Sequence, residues 1–234
     1  MIAARHRPQR ALNWDEITHS EAVEGYLKSI FGLSTSGAAV TTSAVAAQLG
    51  IAAPSVSAML KRLEASDLIT RSDDHRIGLT EHGERHALGI VRRLRLVEVF
   101  LTEVLGVPWD EVNAEAEILE HAVSARLEER IDAFLGHPTR DPHGDPIPPS
   151  SGQHVEDWGS PLTAAPPGSR FLVERVSDRD SAVLRHLALL GVRPGAVLGV
   201  IECEPFGGPL WVDIDGRRQP LGSELVQDLH GRTI

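Results

Sequence analysis

Two helical patterns lie almost back to back between residues 41 and 63, and no other feature restricts the fold of this chain so tightly. The first starts at Thr41 or Thr42, whose hydroxyls can accept from free backbone amides, and runs through Val45 to Leu49. Gly50 follows, where a left-handed residue is wanted. The second pattern begins at once. Pro54 suits its first turn, where a missing N–H costs nothing, and Val56, Met59, Leu60 and Leu63 form an apolar stripe. Upstream, from residue 14 to about 33, Val23, Tyr26, Leu27, Ile30 and Phe31 recur at helical steps until Gly37 breaks the pattern. Downstream, Ile77 and Leu79 alternate around the polar tip Ser72-Asp73-Asp74-His75-Arg76, which predicts a two-stranded hairpin. This order predicts a winged helix-turn-helix over residues 14–80, behind a flexible arm at 1–13.

In such a fold the opening of the second helix of the motif faces bases and phosphates. Ser55 and Ser57 can donate to phosphate oxygens, while Pro54 and Ala58 can touch thymine methyls. Lys61 and Arg62 follow on the exposed side, Arg71 and Arg76 can reach the backbone from the hairpin, and Thr42 belongs to the same candidate surface. The alternative is an ordinary loop joining the helices of a bundle. A net charge of −10 opposes a nucleic-acid partner only if it is evenly spread. Residues 1–97 carry twelve Lys/Arg against ten Asp/Glu, residues 98–157 three against fourteen, and residues 158–234 eight against nine. The acidity is thus confined to the middle of the chain.

Residues 80–104 read as one long helix with Ile90, Leu94, Val97 and Leu101 as its stripe, stopped by Gly106-Val107-Pro108. A second helix is expected from about residue 113 toward 129, followed by 131–135. Apolar faces on these helices can bury a two-fold interface, which a palindromic DNA site would mirror. Eight prolines and five glycines between 136 and 169 end in an expected linker at 151–168. From 169 the period changes. Residues 171–173, 197–201 and 210–214 are strand-like, 184–190 a short helix, and Asp215-Gly216 a turn. The expected class is α+β. No apolar run approaches the roughly 20 residues of a membrane helix, and residues 1–13 lack the hydrophobic stretch of a secretory signal. The single cysteine, Cys203, fits a reducing cytoplasm.

On a helix, Glu117, Glu120 and His121 share one face, since positions three and four apart are neighbours. Two carboxylates and an imidazole suit a borderline-to-hard divalent ion such as Mn²⁺ or Fe²⁺. A solvated acidic helix with one polar histidine is the plain alternative.

The Pro54-Ser-Val-Ser helix, Leu79-Thr-Glu-His-Gly83 after the hairpin, Trp109-Asp-Glu-Val112, Glu117-x-x-Glu120-His121 and Arg140-Asp-Pro-His-Gly-Asp-Pro-Ile-Pro148 together resemble the diphtheria toxin repressor family. The resemblance spans residues 15–234. It implies a homodimeric DNA-binding regulator, most simply a repressor of metal homeostasis genes, switched by Mn²⁺ or Fe²⁺. It also implies a helical dimerization and metal-sensing domain at 81–150 and a small SH3-like barrel at 169–234. Iron-responsive members usually place a cysteine where Glu117 stands, so this chain is more similar to the manganese-responsive branch.

The departures are specific. Gly25 stands where the family has a metal-binding Asp or Met, Leu94 and Asn113 stand where it has histidines, and Val183 where it has a barrel glutamine. Glu98 and Asp180 remain as ancillary ligands. Three readings stay open: a metal in an altered shell that recruits Glu21 or Glu24; a degraded sensor that binds DNA constitutively or answers another small ligand; and a metal-dependent hydrolase using Glu117, Glu120 and His121. The third lacks a second acid–base group, so no enzyme activity is expected.

Overall fold

Ser20 starts the first helix of the structure, a computed structural model that describes residues 20–150 and 157–234. The expected arm, the start of the first helix at Trp14 and the opening of the linker (151–156) lie outside the described residues. The chain divides into two compact units, Met1–Ile90 and Val91–Ile234.

In the first unit Ser20 Oγ accepts from the Val23 N–H and caps α1 (Glu21–Thr35), which buries Val23, Leu27, Ile30 and Phe31. Thr41 rather than Thr42 caps α2 (Thr42–Leu49), its Oγ1 accepting from the Ala44 N–H at 3.2 Å. Gly50 ends α2 at φ 66°, ψ 26°, a conformation that costs glycine nothing. Then α3 (Ala53–Ala65) follows with Pro54 in its first turn, at 113° to α2. That is the crossing expected of a helix-turn-helix. Val56, Leu60 and Leu63 are buried, whereas Met59, expected in the stripe, sits at its edge and is only half-buried.

The wing is β1 (Ile69–Arg71) paired antiparallel with β2 (Ile77–Leu79), Ile69 opposite Leu79. The Ile77 N–H donates to the Val40 carbonyl at 2.9 Å, which fastens the wing to the segment before α2. Thr80 Oγ1 then accepts from the Gly83 N–H and opens α4 (Glu81–Leu105). A Cβ on Gly83 would stand 1.8 Å from the Leu68 carbonyl oxygen, so only glycine lets the helix start so close to the wing.

In the second unit the rest of α4 packs with α5 (Val112–Glu120) and α6 (Ala125–Phe134). Leu94, Val97 and Leu101 meet Val112 and Ala116, while Leu96 and Val99 meet Ile131 and Ile147. The single helix expected over 113–129 is in fact two. His121 ends the first, and Ser124 caps the second by accepting from the Leu127 N–H at 3.3 Å. A serine hydroxyl competes well as a cap and poorly inside a helix. Arg92 ties the layers by pairing with Glu128 at 3.2 Å and Asp132 at 2.8 Å and donating to the Pro148 carbonyl. One face stays apolar and open. Leu105, Ile118, Leu127 and Phe134 are exposed, and a groove of about 450 Å³ runs between Phe100, Leu101, Leu119 and Phe134.

The remainder is β3 (Ser160–Pro161), β4 (Arg170–Val176), α7 (Ser181–Leu189), β5 (Val197–Cys203), β6 (Leu210–Ile214), β7 (Arg217–Leu221), α8 (Ser223–Gln227) and β8 (Leu229–Thr233). The antiparallel sheet has the order β3-β8-β4-β5-β6-β7. Asp215 and Gly216 turn β6 into β7 with φ of 50° and 78°, the positive pair that matches strand twist. Asp180, expected as an ancillary ligand, instead caps α7 by accepting from the Ala182 N–H at 2.7 Å. Phe171, Val173, Leu198, Val200 and Val212 fill the core of this sheet, and Trp109 from the turn before α5 is part of that core. The fold is α+β, as the alternation of periods predicts.

Gly144 and Gly231 are the tightest glycines of the second unit among the described residues. Gly144 has a φ of 90°, and a Cβ there would stand 1.9 Å from the Glu174 carbonyl oxygen of β4. Gly144→Ala is expected to cost about 3 kcal/mol or more, through backbone strain plus overpacking. Denaturant unfolding measures it, and a loss below about 1 kcal/mol would show that the turn can move away.

Candidate metal centre and nucleic-acid interface

The turn between α6 and the sheet builds the best-defined cluster. Asp141 Oδ1 accepts from the backbone N–H groups of His143 and Asp145 at 2.8 and 2.9 Å, which closes the turn around its own carboxylate. The His143 carbonyl accepts from the Val176 N–H of β4, and the imidazole lies along the Trp109 ring with centroids 5.7 Å apart. His143 Nε2 is 2.7 Å from the Trp109 carbonyl oxygen. A carbonyl only accepts, so Nε2 carries the proton and the Nδ1 lone pair turns inward. Nδ1 is buried without a hydrogen-bond partner, 4.0 Å from Glu98 Oε1.

Glu98, Asp141 and His143 are all buried, and each offers a ligand atom within 4.8 Å of the other two. Asn113 Nδ2 donates to Glu98 Oε1 at 3.1 Å and to Asp178 Oδ2 at 2.9 Å, which brings a third carboxylate to the rim. Burial is the main force on both acids. With Asp141 and Asp178 facing it, it pushes Glu98 well above the usual carboxylate range. It lifts Asp141 to about 7, helped by Asp145 and opposed by His143 and Arg95. Buried like charges of this kind are relieved by protons or by a cation. An inward lone pair on a ring held by the Trp109 carbonyl, together with hard carboxylate oxygens, fits a divalent ion of the Mn²⁺ or Fe²⁺ type.

Of the residues singled out from the sequence, Glu98 is at this cluster. Glu120 is fully buried at the end of α5, with the half-buried His121 Nε2 3.8 Å from its Oε1. Glu117 is exposed one turn earlier, and these three are not drawn into a comparably tight group. Glu21 is exposed and Glu24 buried on α1, in the first unit. Gly25 supplies no side chain, and Leu94 is sealed among Val97, Val112 and Ala116. Sequence reasoning missed Asp141, His143 and Asp178. The first two stand in the Arg140–Pro148 run, where Asp-x-His with a further Asp was a legible signal for ligands. Asp178 carries no local signal.

On the first unit Pro54, Ser55, Ala58, Lys61 and Arg62 are exposed along α3, with Ser57 and Thr42 half-buried. Arg76 pairs with Asp74 at 2.9 Å and Arg71 lies 3.9 Å from Glu64, both pairs open to solvent. Exposed pairs are worth little, so phosphates can claim these guanidinium groups cheaply.

Comparison with known proteins places these features in a family. The iron dependent repressor N-terminal DNA binding domain matches residues 19–75, the iron dependent repressor metal binding and dimerisation domain residues 80–149, and the FeoA domain residues 160–232. The iron-dependent repressor IdeR of Mycobacterium tuberculosis is 34% identical over 202 residues, covering 80% of this chain and 86% of that protein. The chain belongs to the diphtheria toxin repressor family. The diphtheria toxin repressor of Corynebacterium diphtheriae is itself 30% identical over 153 residues, 65% of this chain and 66% of that protein. A solved manganese-dependent transcriptional repressor in complex with manganese is 40% identical with a TM-score of 0.85, covering 90% of this chain and 99% of that one. A structure of the manganese regulator SloR is 32% identical with a TM-score of 0.77, covering 90% and 98%. The manganese-responsive branch is therefore the nearer one. As a member of this family the chain is a DNA-binding transcriptional regulator with a dimerisation domain, not an enzyme. Among the described residues no single helix is long and apolar enough to cross a membrane.

Asp141 generates a test of the centre's electrostatics. Its folded pKa of about 7 lies above the ordinary 3.8, so between those values the folded state holds the extra proton. Stability must then fall as pH rises from about 4 to 7, the slope having the sign of protons bound unfolded minus folded. Urea unfolding in chelator, compared with Asp141→Asn, should show this decline in the wild type and a flatter profile in the variant. Equal profiles would mean Asp141 is not under such pressure.

Proposed function

We propose that this chain is a homodimeric repressor that reads a palindromic double-stranded DNA operator and responds to Mn²⁺, with Fe²⁺ as the alternative metal, in cytoplasmic metal homeostasis. The single observation that carries the metal reading is the buried, inward-facing Nδ1 of His143 beside Glu98 and Asp141. The proposed domain order is winged helix-turn-helix to residue 80, dimerization and sensing domain at 81–150, linker at 151–168 and barrel at 169–234. The exposed apolar groove of α4, α5 and α6 supports the two-fold contact, because a surface of this kind is rarely left in water.

Glu98, Asp141 and His143 would hold the cation, which would supply positive charge against the repulsion among the buried carboxylates. Trp109 orients His143 through its carbonyl and its ring. Glu120, with His121 beside it and Glu117 one turn earlier, forms the proposed second binding region. Closure of Leu94 into the core favours weak binding there. This leaves room for the second reading, in which the Glu117–His121 face is degraded and sensing rests on Glu98, Asp141 and His143. Ser55, Ser57, Pro54 and Ala58 are assigned to the operator, with Lys61, Arg62, Arg71, Arg76 and Thr42 on phosphates.

Two experiments test this. Operator fragments selected from genomic DNA are titrated with protein in Mn²⁺, in Fe²⁺ and in chelator. Metal should tighten binding by at least about tenfold, a coupling of roughly 1.4 kcal/mol, and Glu98→Gln or His143→Ala should remove that gain. The same variants responding like wild type would sink the metal reading, whereas loss only in Glu120→Gln would move the sensor to α5. Separately, Lys61→Ala should weaken binding to all sequences and reduce the salt slope by about one, while Pro54→Ala, which removes a candidate thymine-methyl contact, should change sequence preference. Wild-type binding by both variants would remove α3 from the DNA surface.

A further inference from the structure

Asn113 lies at the start of α5, where one nitrogen of its carboxamide reaches two acids, Glu98 at 3.1 Å and Asp178 at 2.9 Å. An amide NH₂ has two protons, and here both go to carboxylates from different parts of the second unit: Glu98 from α4, Asp178 from the loop between β4 and α7. Glu98 is almost fully buried and Asn113 opposes the rise in its pKa. A divalent ion beside Asp141 and His143 would draw on the same Glu98 oxygens. The Asn113 N–H and the His143 Nδ1 side of the cluster both approach the same oxygen, Glu98 Oε1, so an amide proton and a cation can compete there.

We propose that Asn113 is a built-in competitor of the cation at this centre: it sets the affinity for metal and transmits occupancy to the β4–α7 loop through Asp178. The proposal rests on the metal reading of Glu98, Asp141 and His143. A cation on Glu98 repels the N–H aimed at that carboxylate. Turning the carboxamide away withdraws the donor from Asp178 too, so the loop loses a hold that it keeps while the amide bridges both acids. Asn113 is a positioning residue on this account. Any residue lacking the two donors removes the competition.

The test is Mn²⁺ calorimetry on the full chain, scored on the part of the isotherm that His143→Ala abolishes. Hydrogen exchange at residues 177–180 is the second readout. Asn113→Ala should tighten that part by about tenfold or more, the scale of losing one hydrogen bond to a charged acceptor. The loop should also exchange faster in wild type with Mn²⁺ than in chelator. A merely structural amide predicts the reverse: a lower Tm with unchanged or weaker Mn²⁺ affinity, which overturns the proposal. If Asn113→Ala does not fold, Asn113→Asp decides. A fourth carboxylate should lower Tm in chelator and make Mn²⁺ raise it by more than in wild type; an equal rise overturns the proposal. Wild-type Mn²⁺ binding by His143→Ala would instead refute the centre itself, so the two failures are distinguishable.

Discussion

The hydrogen bond from His143 Nε2 to the Trp109 carbonyl is the contact on which most of the second unit depends. It fixes Nε2 as the donor nitrogen of His143, so that in the neutral ring the Nδ1 lone pair faces Glu98. It also holds the Asp141–Asp145 turn against the segment that delivers Trp109 to the core of the sheet. Packing and chemistry are joined at one imidazole. The turn cannot relax elsewhere, because Gly144 already rests on the backbone of β4. The ring can neither rotate away without leaving a carbonyl unsatisfied nor move without displacing a stacked indole. Such a residue is preorganised in the sense that matters for binding, since little freedom is left to lose.

The charge pattern follows from the same constraint. Acid concentrated between residues 98 and 157 is an expensive composition for a packed unit, and part of it is answered by arginine. Arg92 takes Glu128 and Asp132, Arg95 lies near Asp141 and Asp145, and Arg175 pairs with Asp145 while stacking on Trp158. Among the described residues Glu98 takes a side-chain hydrogen bond from the Asn113 amide. Asp141, with Arg95 at 3.8 Å, is answered only in part, since burial and Asp145 still lift its pKa, and Glu98 keeps the larger unmet demand for positive charge.

Much of the fold was legible because it rests on local signals. The cap at Thr41, the left-handed Gly50, Pro54 in a first turn and the Asp215-Gly216 hairpin each state their backbone geometry in one or two residues, and the elements form there. The break at Ser124 was missed because apolar spacing continues across it, and only the preference of a hydroxyl for a cap reveals the new start. Strands β7 and β8 were missed because Arg217–Leu221 and Leu229–Thr233 carry too little alternation to announce themselves. The site was legible only in part. Glu117, Glu120 and His121 are neighbours in sequence and therefore conspicuous, whereas Glu98, the Asp141–His143 turn and Asp178 come from three separate segments. Spacing arguments see one helix at a time; a centre assembled by tertiary packing is invisible to them.

The substitutions at Leu94 and Asn113 therefore have a common reading on the proposed function. Leu94 strengthens the seam between α4 and α5 with an apolar contact, at the expense of a ligand, and Asn113 turns another ligand position into a hydrogen-bond donor. Both changes favour a second unit that folds without metal. A regulator still needs a difference between its metal-bound and metal-free states, because a ligand shifts an equilibrium only by its differential affinity. Moving a two-state protein from 1:99 to 99:1 takes about 5.5 kcal/mol. A homodimer presents every centre twice, so each copy at the Glu98 cluster need supply only about half of that. That is within reach of one cation replacing two amide hydrogen bonds among repelling carboxylates, and out of reach of an exposed acidic face on α5 alone. The buried cluster is thus the better seat for a switch in this chain, even though the α5 motif is the one that the sequence displays.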